Sequence, residues 1–442
     1  MEERQTCELL VTGDFVVTCD DADRVVQDGA VAVQDGCIVA VGAAAELESR
    51  YDPVDRLRGG IVLPGLINTH GHAAMTLYRG LGDDLPLMTW LQDCIWPAEK
   101  EFTTPGNVRL GTQLAVAEML ASGTTTFADM YFFEDQVGEV ADETGIRALL
   151  GQAVIGFPTP DAPDTGTSFR RGEELALRYR DHPRVNVSAA LHSVYTLSPQ
   201  QLSAGAQHAS DLGIPIQIHM SETAEEVRNC VERHGVSPPA LLQQTGLLRK
   251  GTICAHGVHL TDADRELLRD HEAGVSLNPD SNLKLGSGIA DVPQLLAAGV
   301  PLGLGTDGAA SNNGLDLWHA LRLTALLHKG VHEDPLAVPA PVALNLATRG
   351  GAELLGMSAS VGRLSEGLQA DLCVLDTASA AMTPLYDPRS HLAYVATGRD
   401  VIHTVVAGRV LYRDRLHTTL DLGEVRARMT ELAPRIMATV RG

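Results

Sequence analysis

Between residues 61 and 355, short apolar runs alternate with longer amphipathic stretches. The apolar runs fall at 61–68, 124–129, 148–154, 185–192, 214–219, 251–256, 275–278 and 301–306, which gives eight strand candidates. Helical segments lie between them at 107–122, 139–144, 199–212, 225–234, 262–271 and 293–298. Strand-then-helix units repeated over this length predict an α/β fold, a (β/α)8 TIM barrel spanning 61–359. A doubly wound open sheet is the architectural alternative. No Gly-x-Gly-x-x-Gly opens a helix, so a dinucleotide fold has little support.

The chain ends have a β texture. Two apolar runs, 30–36 and 37–41, meet at Asp35-Gly36, a hairpin signal. Near the other end, 371–375 is a short apolar run and 404–412 turns at Gly408-Arg409. These features predict one small β-sandwich domain built from residues 1–60 and 360–420. Residues 421–442 are expected to form a C-terminal helix, with Arg, Glu and Met at helical spacing.

Composition narrows the function classes. Apolar residues make up 44% of the 442 residues, enough for a large folded core. No apolar run is long enough to span a membrane, and the Met1–Glu8 segment has no basic start followed by an apolar stretch, so no signal peptide is expected. The balance of 34 basic to 56 acidic residues, −22 in net charge, argues against nucleic-acid or anionic-membrane partners. Seven scattered cysteines without a Cys-x-x-Cys pair fit a reducing compartment, the cytoplasm.

In a parallel barrel the reactive groups end the strands. The first strand candidate runs into His70-Gly71-His72, two imidazoles on one side of an extended chain. The fifth ends at His219, with Glu222 just beyond; the sixth ends at His256; the eighth runs into Asp307, between Thr306 and Gly308. Each alone has an ordinary reading: polar loop histidines, hydrogen-bonded strand-end histidines, a turn-forming Asp. Together at one barrel face, they point to a divalent cation held by His70, His72, His219 and Asp307, with an open position for water. Glu222 and His256 remain for acid–base work. Lysine occurs only at 100, 250, 284 and 329, none at a strand end, so nothing bridges a second metal. One divalent cation per subunit is expected, and nitrogen and carboxylate donors suit Zn2+, Fe2+ and Mn2+ alike.

Several stretches resemble the amidohydrolase superfamily, and within it the methylthioadenosine/S-adenosylhomocysteine deaminases. They are Pro64–His72, Trp90–Glu99, Ala121–Thr126, Leu191–Tyr195, His219–Thr223, Ala255–Gly257, Asn278–Gly286 and Gly305–Gly308. The resemblance implies a mononuclear zinc-dependent hydrolytic deaminase of adenosine derivatives, a nucleoside substrate and a homo-oligomer. It implies that Glu222 and His256 flank the purine, that Glu99 holds the ribose hydroxyls and that His192 faces the substrate beside the metal. By their residue types alone, Glu99 could equally start a solvated helix and His192 could be a core histidine. Trp90 and Trp96 either wall the pocket or pack in the core. Relatives that take a homocysteine tail grip its carboxylate with arginines. Here Arg170 and Arg171 fall in an expected loop after the third strand, as tail ligands or as surface charges. Leu277 stands where several relatives have His before Asn-Pro. Alternative readings are a deaminase or chlorohydrolase of another N-heterocycle (guanine, oxidised purine, pyrimidine, triazine), a two-metal amide hydrolase, and an inactive binding barrel.

Overall fold

The structure, a computed structural model, describes residues 4–441, so Met1, Glu2, Glu3 and Gly442 lie outside the described residues. Eight parallel strands, Leu66–Asn68, Thr124–Tyr131, Arg147–Val154, Val185–Ser193, Ile216–Met220, Thr252–His256, Gly274–Leu277 and Leu302–Leu304, are hydrogen-bonded in sequence order. The ring closes where the Thr69 amide donates to the Leu304 carbonyl (2.8 Å) and the Asn68 side chain bonds Thr306. Helices cross over between strands, and their ends follow capping rules. Pro199–Leu212 starts with a Ser198/Gln201 capping box and stops at Gly213 in the left-handed region.

The apolar run 61–68 is in fact two strands. Tyr51–Pro64 belongs to the end sheet and Leu66–Asn68 to the barrel, and the chain changes sheets at Gly65. A Cβ at Gly65 would lie 2.2 Å from the Thr125 side chain, so only glycine fits that crossing. Apolar periodicity cannot show a change of sheet, because both sides of the break are buried. The last strand is shorter than expected because Thr306 and Asp307 leave the ladder.

The chain ends form one eight-stranded sheet, ordered Leu416–His417, Arg409–Arg413, Val401–Val406, Leu372–Leu375, Tyr51–Pro64, Gln5–Val17, Val25–Gln34 and Cys37–Ala43. It encloses a core that takes Leu9, Val11, Val31 and Val33 from one end and Leu372, Val374 and Val405 from the other. Asp35 (φ 52°) and Gly36 (φ 71°) make the first hairpin turn, as a two-residue loop requires. The second turn is Ala407-Gly408, one residue earlier than the sequence suggests; Arg409 already pairs with Val406. Barrel and sheet are joined by Arg147 and Asp371, both buried, with Nε–Oδ2 at 2.9 Å. The C-terminal helix Leu422–Arg441 sets Val425, Leu432 and Ile436 into the core beside the barrel helices. Among the described residues no helix is long and apolar enough to cross a membrane.

Candidate active site

The strand ends converge as the barrel geometry requires. His70 and His72 follow Leu66–Asn68, His219 lies in Ile216–Met220, and Asp307 follows Leu302–Leu304. The nitrogen donors of the three histidines lie within 4.8 Å of one another. Asp307 Oδ1 is 3.2 Å from His72 Nε2 and 3.6 Å from His70 Nε2.

Tautomers follow from the backbone. His72 Nδ1 is 2.6 Å from the Met130 carbonyl and His219 Nδ1 is 2.8 Å from the His192 carbonyl. A carbonyl only accepts, so both Nδ1 atoms carry hydrogen and both Nε2 atoms present lone pairs. Those two Nε2 atoms are 3.3 Å apart, and the buried His70 Nε2 has no hydrogen-bond partner among the described residues. Facing lone pairs repel unless a positive charge lies between them, and carbonyl-anchored imidazoles are how proteins hold a divalent cation. The donor set therefore fits one.

Without a cation, a proton takes its part. Burial opposes charge on His72, but the Asp307 carboxylate, with Asp129 behind it, holds its pKa up at about 9. Burial drives His70 down to about 4 against the pull of Asp307, and burial with the neighbouring histidines drives His219 well below the usual range. Asp307 is buried too, yet His70 and His72 keep it well below the ordinary carboxylate range. Its Oδ2 accepts from Ser281 (2.6 Å) and Ser311 (3.0 Å).

Three non-glycine residues here adopt left-handed backbone: Ser221 (φ 52°), His256 (φ 77°) and Asp307 (φ 59°). Such conformations cost on the order of 1–3 kcal/mol each and gather at functional sites. Glu222 follows the first of them. Its amide and that of Ser221 donate to Glu226, at 2.8 and 2.9 Å. Its Oε1 accepts from Ser287 Oγ (3.2 Å), and its Oε2 lies 3.8 Å from His256 Nε2. Burial raises the Glu222 pKa. His256 Nδ1 is held by Asn282 Oδ1 at 2.8 Å.

His72, His219, Glu222, His256 and Asp307 line a cavity of about 500 Å³. His192 also lines it, its ring 4.9 Å from that of His219, with burial pushing its pKa down to about 3. Glu99 reaches the cavity from the helix Trp96–Phe102. Tyr131 donates its hydroxyl to Glu99 Oε1 at 2.5 Å, and burial pushes Glu99 up to about 7. The other wall is apolar, with Leu87, Trp90, Leu91, Ile95, Trp96 and Phe157 among its members. Trp90 also donates Nε1–H to the Leu81 carbonyl, and Trp96 meets Phe157 edge to face, with centroids 5.6 Å apart.

Arg171 does not join this group. Arg170 and Arg171 lie on the helix Thr165–Tyr179, not on a loop, and neither lines the cavity. The Arg171 guanidinium is taken up by Asp135 (2.8 Å) and Asp161 (3.3 Å). Leu277 is buried in the barrel core. Tyr131 was missed in the sequence because the run 124–129 stops two residues short of the strand's true end. Ser281, Asn282 and Ser287 follow the Asn278-Pro279 pair, whose proximity to a strand end was the available signal.

Residues 61–411 match the family described as Amidohydrolase family, and residues 29–52 match an imidazolonepropionase-like composite domain of bacteria. The chain is 42% identical over 421 residues to the 5-methylthioadenosine/S-adenosylhomocysteine deaminase of Nitratidesulfovibrio vulgaris, covering 95% of each chain. It superposes on a zinc-bound adenosine deaminase from Xanthomonas campestris with a TM-score of 0.97 at 37% identity, covering 99% of this chain and 100% of that one. The atrazine chlorohydrolase of Arthrobacter aurescens, complexed with zinc, gives a TM-score of 0.88 at 26% identity, covering 96% and 100%.

Proposed function

The chain belongs to the amidohydrolase family and is a hydrolytic aminohydrolase; from that premise we propose that it deaminates adenosine derivatives to the inosine analogue and ammonia, with one zinc ion at His70, His72, His219 and Asp307. The observation that carries the nucleoside reading is Glu99. It is a buried carboxylate with one oxygen fixed by Tyr131, facing the same cavity as Glu222. A ribose diol supplies the two donors such an acceptor needs; a free base or a triazine does not.

When bound, the cation supplies the acidification of water, toward a pKa of about 7, that yields a nucleophile at neutral pH. The protein's own residues do the rest. Asp307 accepts the proton lost by the attacking water and returns it to the departing amine. Glu222 protonates the ring at N1, which makes C6 electron-poor, its raised pKa keeps that proton available, and it is reprotonated by the hydrogen that leaves the C6 hydroxyl as the carbonyl forms. His256 donates Nδ1–H to Asn282 Oδ1, which leaves the Nε2 lone pair to accept from the hydroxyl formed at C6. His192, neutral, hydrogen-bonds the substrate beside the cation site.

The 5′ end of the substrate is read by the apolar wall. Among the described residues Lys100 is the one Lys or Arg side chain that lines the cavity, while Arg171 is paired elsewhere. A methylthio or methyl group suits Trp96 and Phe157 better than a zwitterionic amino-acid tail, which would lose its hydration with Lys100 alone as a cationic partner.

The test is ammonia release from zinc-loaded protein on methylthioadenosine, 5′-deoxyadenosine, adenosine, S-adenosylhomocysteine, guanine and a triazine. Turnover of the adenosine compounds, with the apolar 5′ groups ahead of the homocysteine tail, is expected. Silence on all four nucleosides with turnover of guanine or the triazine would remove the diol role given to Glu99.

A further inference from the structure

The residues Thr223-x-x-Glu226 have the form of a capping box, in which the carboxyl of the third helical residue reaches back to the N–H of the cap residue. Half of that box is present. Thr223 Oγ1 accepts the Glu226 amide at 3.1 Å, at the start of the helix Ala224–His234. The other half is redirected. Glu226 Oε1 accepts the Ser221 amide at 2.9 Å and Oε2 accepts the Glu222 amide at 2.8 Å, two residues and one residue before the cap. The helix Asp262–Asp270, after the next barrel strand, shows the usual arrangement: Thr261 and Asp264 form a complete box, with Asp264 Oδ2 on the Thr261 amide at 2.9 Å. Helix capping alone therefore does not explain where the Glu226 carboxyl goes.

Its two partners belong to a strained piece of chain. Ser221 holds a left-handed backbone (φ 52°), which a non-glycine residue keeps only when its surroundings enforce it. The Ser221 carbonyl accepts the amides of Val258 (3.1 Å) and His259 (3.0 Å), and the Met220 carbonyl accepts that of Gly257 (3.1 Å). The backbone that carries Glu222 is thus tied to the segment after His256 on one side and to Glu226 on the other. Relaxing Ser221 to ordinary backbone would swing the Glu222 side chain away from Ser287 and His256, its neighbours at 3.2 and 3.8 Å. Glu226 itself is buried and is not among the residues that line the cavity. Its charge is favoured by the positive end of its own helix and by two N–H donors, one on each oxygen.

We propose, on the basis of the proton role given to Glu222 above, that Glu226 is the positioning residue for Glu222. By taking both amides it locks Ser221 in its left-handed turn and keeps the Glu222 carboxyl aimed into the cavity beside His256.

The test is Glu226→Gln, made in the wild type and in Glu222→Gln. It is run on methylthioadenosine at about pH 8, above the value of about 7 to which burial and Glu222 raise Glu226. Glutamine keeps the size of the side chain but offers one acceptor where two amides need one each. In the wild type, kcat should fall by about 10–100-fold, with KM within about threefold and zinc content unchanged. In Glu222→Gln the same change should cost less than about threefold, because the group that Glu226 positions has nothing left to deliver. Equal losses in both backgrounds, or wild-type kcat in Glu226→Gln, would overturn the proposal. Hydrogen exchange, which needs no substrate, reads the positioning directly. Glu226→Gln should speed exchange of the Ser221 and Glu222 amides about tenfold or more while the amides of Ile216–Met220 stay as they were. Unchanged exchange at Ser221 and Glu222 overturns the positioning alone. Full turnover by Glu222→Gln overturns the proton role of Glu222 and the proposal with it.

Discussion

In the proposed reaction Glu222 separates proton delivery from metal binding, because it is buried beside the candidate cation site without belonging to the proposed ligand set. Glu222→Gln keeps the shape and the bond from Ser287 but has no proton to give. Its kcat should fall by about 10²–10⁴-fold with zinc content unchanged; near-normal turnover would remove it from the proton path. Glu99 gives a pH dependence with a definite sign. Its pKa is raised from the ordinary 4.5 to about 7 by burial, so the ionised acceptor becomes the main form only as pH rises through that value. KM for a riboside should therefore fall as pH rises through about 7, and stability should fall as pH rises from 4.5 to 7, where the unfolded chain has already lost this proton. Tyr131→Phe removes a hydrogen bond that favours the ionised form, so the KM limb should move to higher pH. A KM profile that stays in place in that variant would break the link between Tyr131 and Glu99.

Whole elements were legible where periodicity and caps agreed. All eight barrel strands appear at the expected places, and the helix Pro199–Leu212 coincides with its sequence reading because Ser198 and Gly213 mark both ends. The four proposed ligands could be read because barrel topology turns eight distant strand ends into one surface. What escaped depended on contacts between segments: the change of sheet at Gly65, the hydroxyl of Tyr131, and the diversion of Arg171 to Asp135 and Asp161. None leaves a mark in local pattern. Gly111 shows the same limit and carries a prediction. In the middle of the helix Pro105–Ala121, Gly→Ala should by propensity alone add roughly 1 kcal/mol of stability. Yet a Cβ there would lie 2.4 Å from the Ala74 carbonyl, in the 3-10 turn Ala73–Tyr78 that follows His72. Overpacking should win, so Gly111→Ala should destabilise by about 1–3 kcal/mol in urea unfolding. A stabilised variant would mean that helix and turn can separate freely.

At the scale of the whole molecule, barrel and end sheet meet in a buried bidentate pair. Arg147 Nε and Nη2 donate to Asp371 at 2.9 and 3.0 Å, and Asp371 also accepts the Ala407 amide. Arg147→Met strands the carboxylate in the interior and should cost about 3–5 kcal/mol, whereas a loss below about 1 kcal/mol would make this an ordinary surface pair. The ring of strands has its own weak place. Its first and last strands are three residues each, and they are joined at Thr69–Leu304 and Asn68–Thr306, with the Asp307 amide donating to the His70 carbonyl at 3.0 Å. Chelating the cation should lower the melting temperature and speed hydrogen exchange of the Thr69 and Asp307 amides above that of the inner strands; uniform exchange would show that the seam holds unaided. That seam joins residues 238 apart in sequence. During synthesis, His70 and His72 emerge early and wait for Asp307, which comes near the end of the barrel. A complete set of the proposed ligands therefore exists only once the last barrel strand has been made, and capture of the ion would work as a clasp that shuts once the belt has gone all the way round.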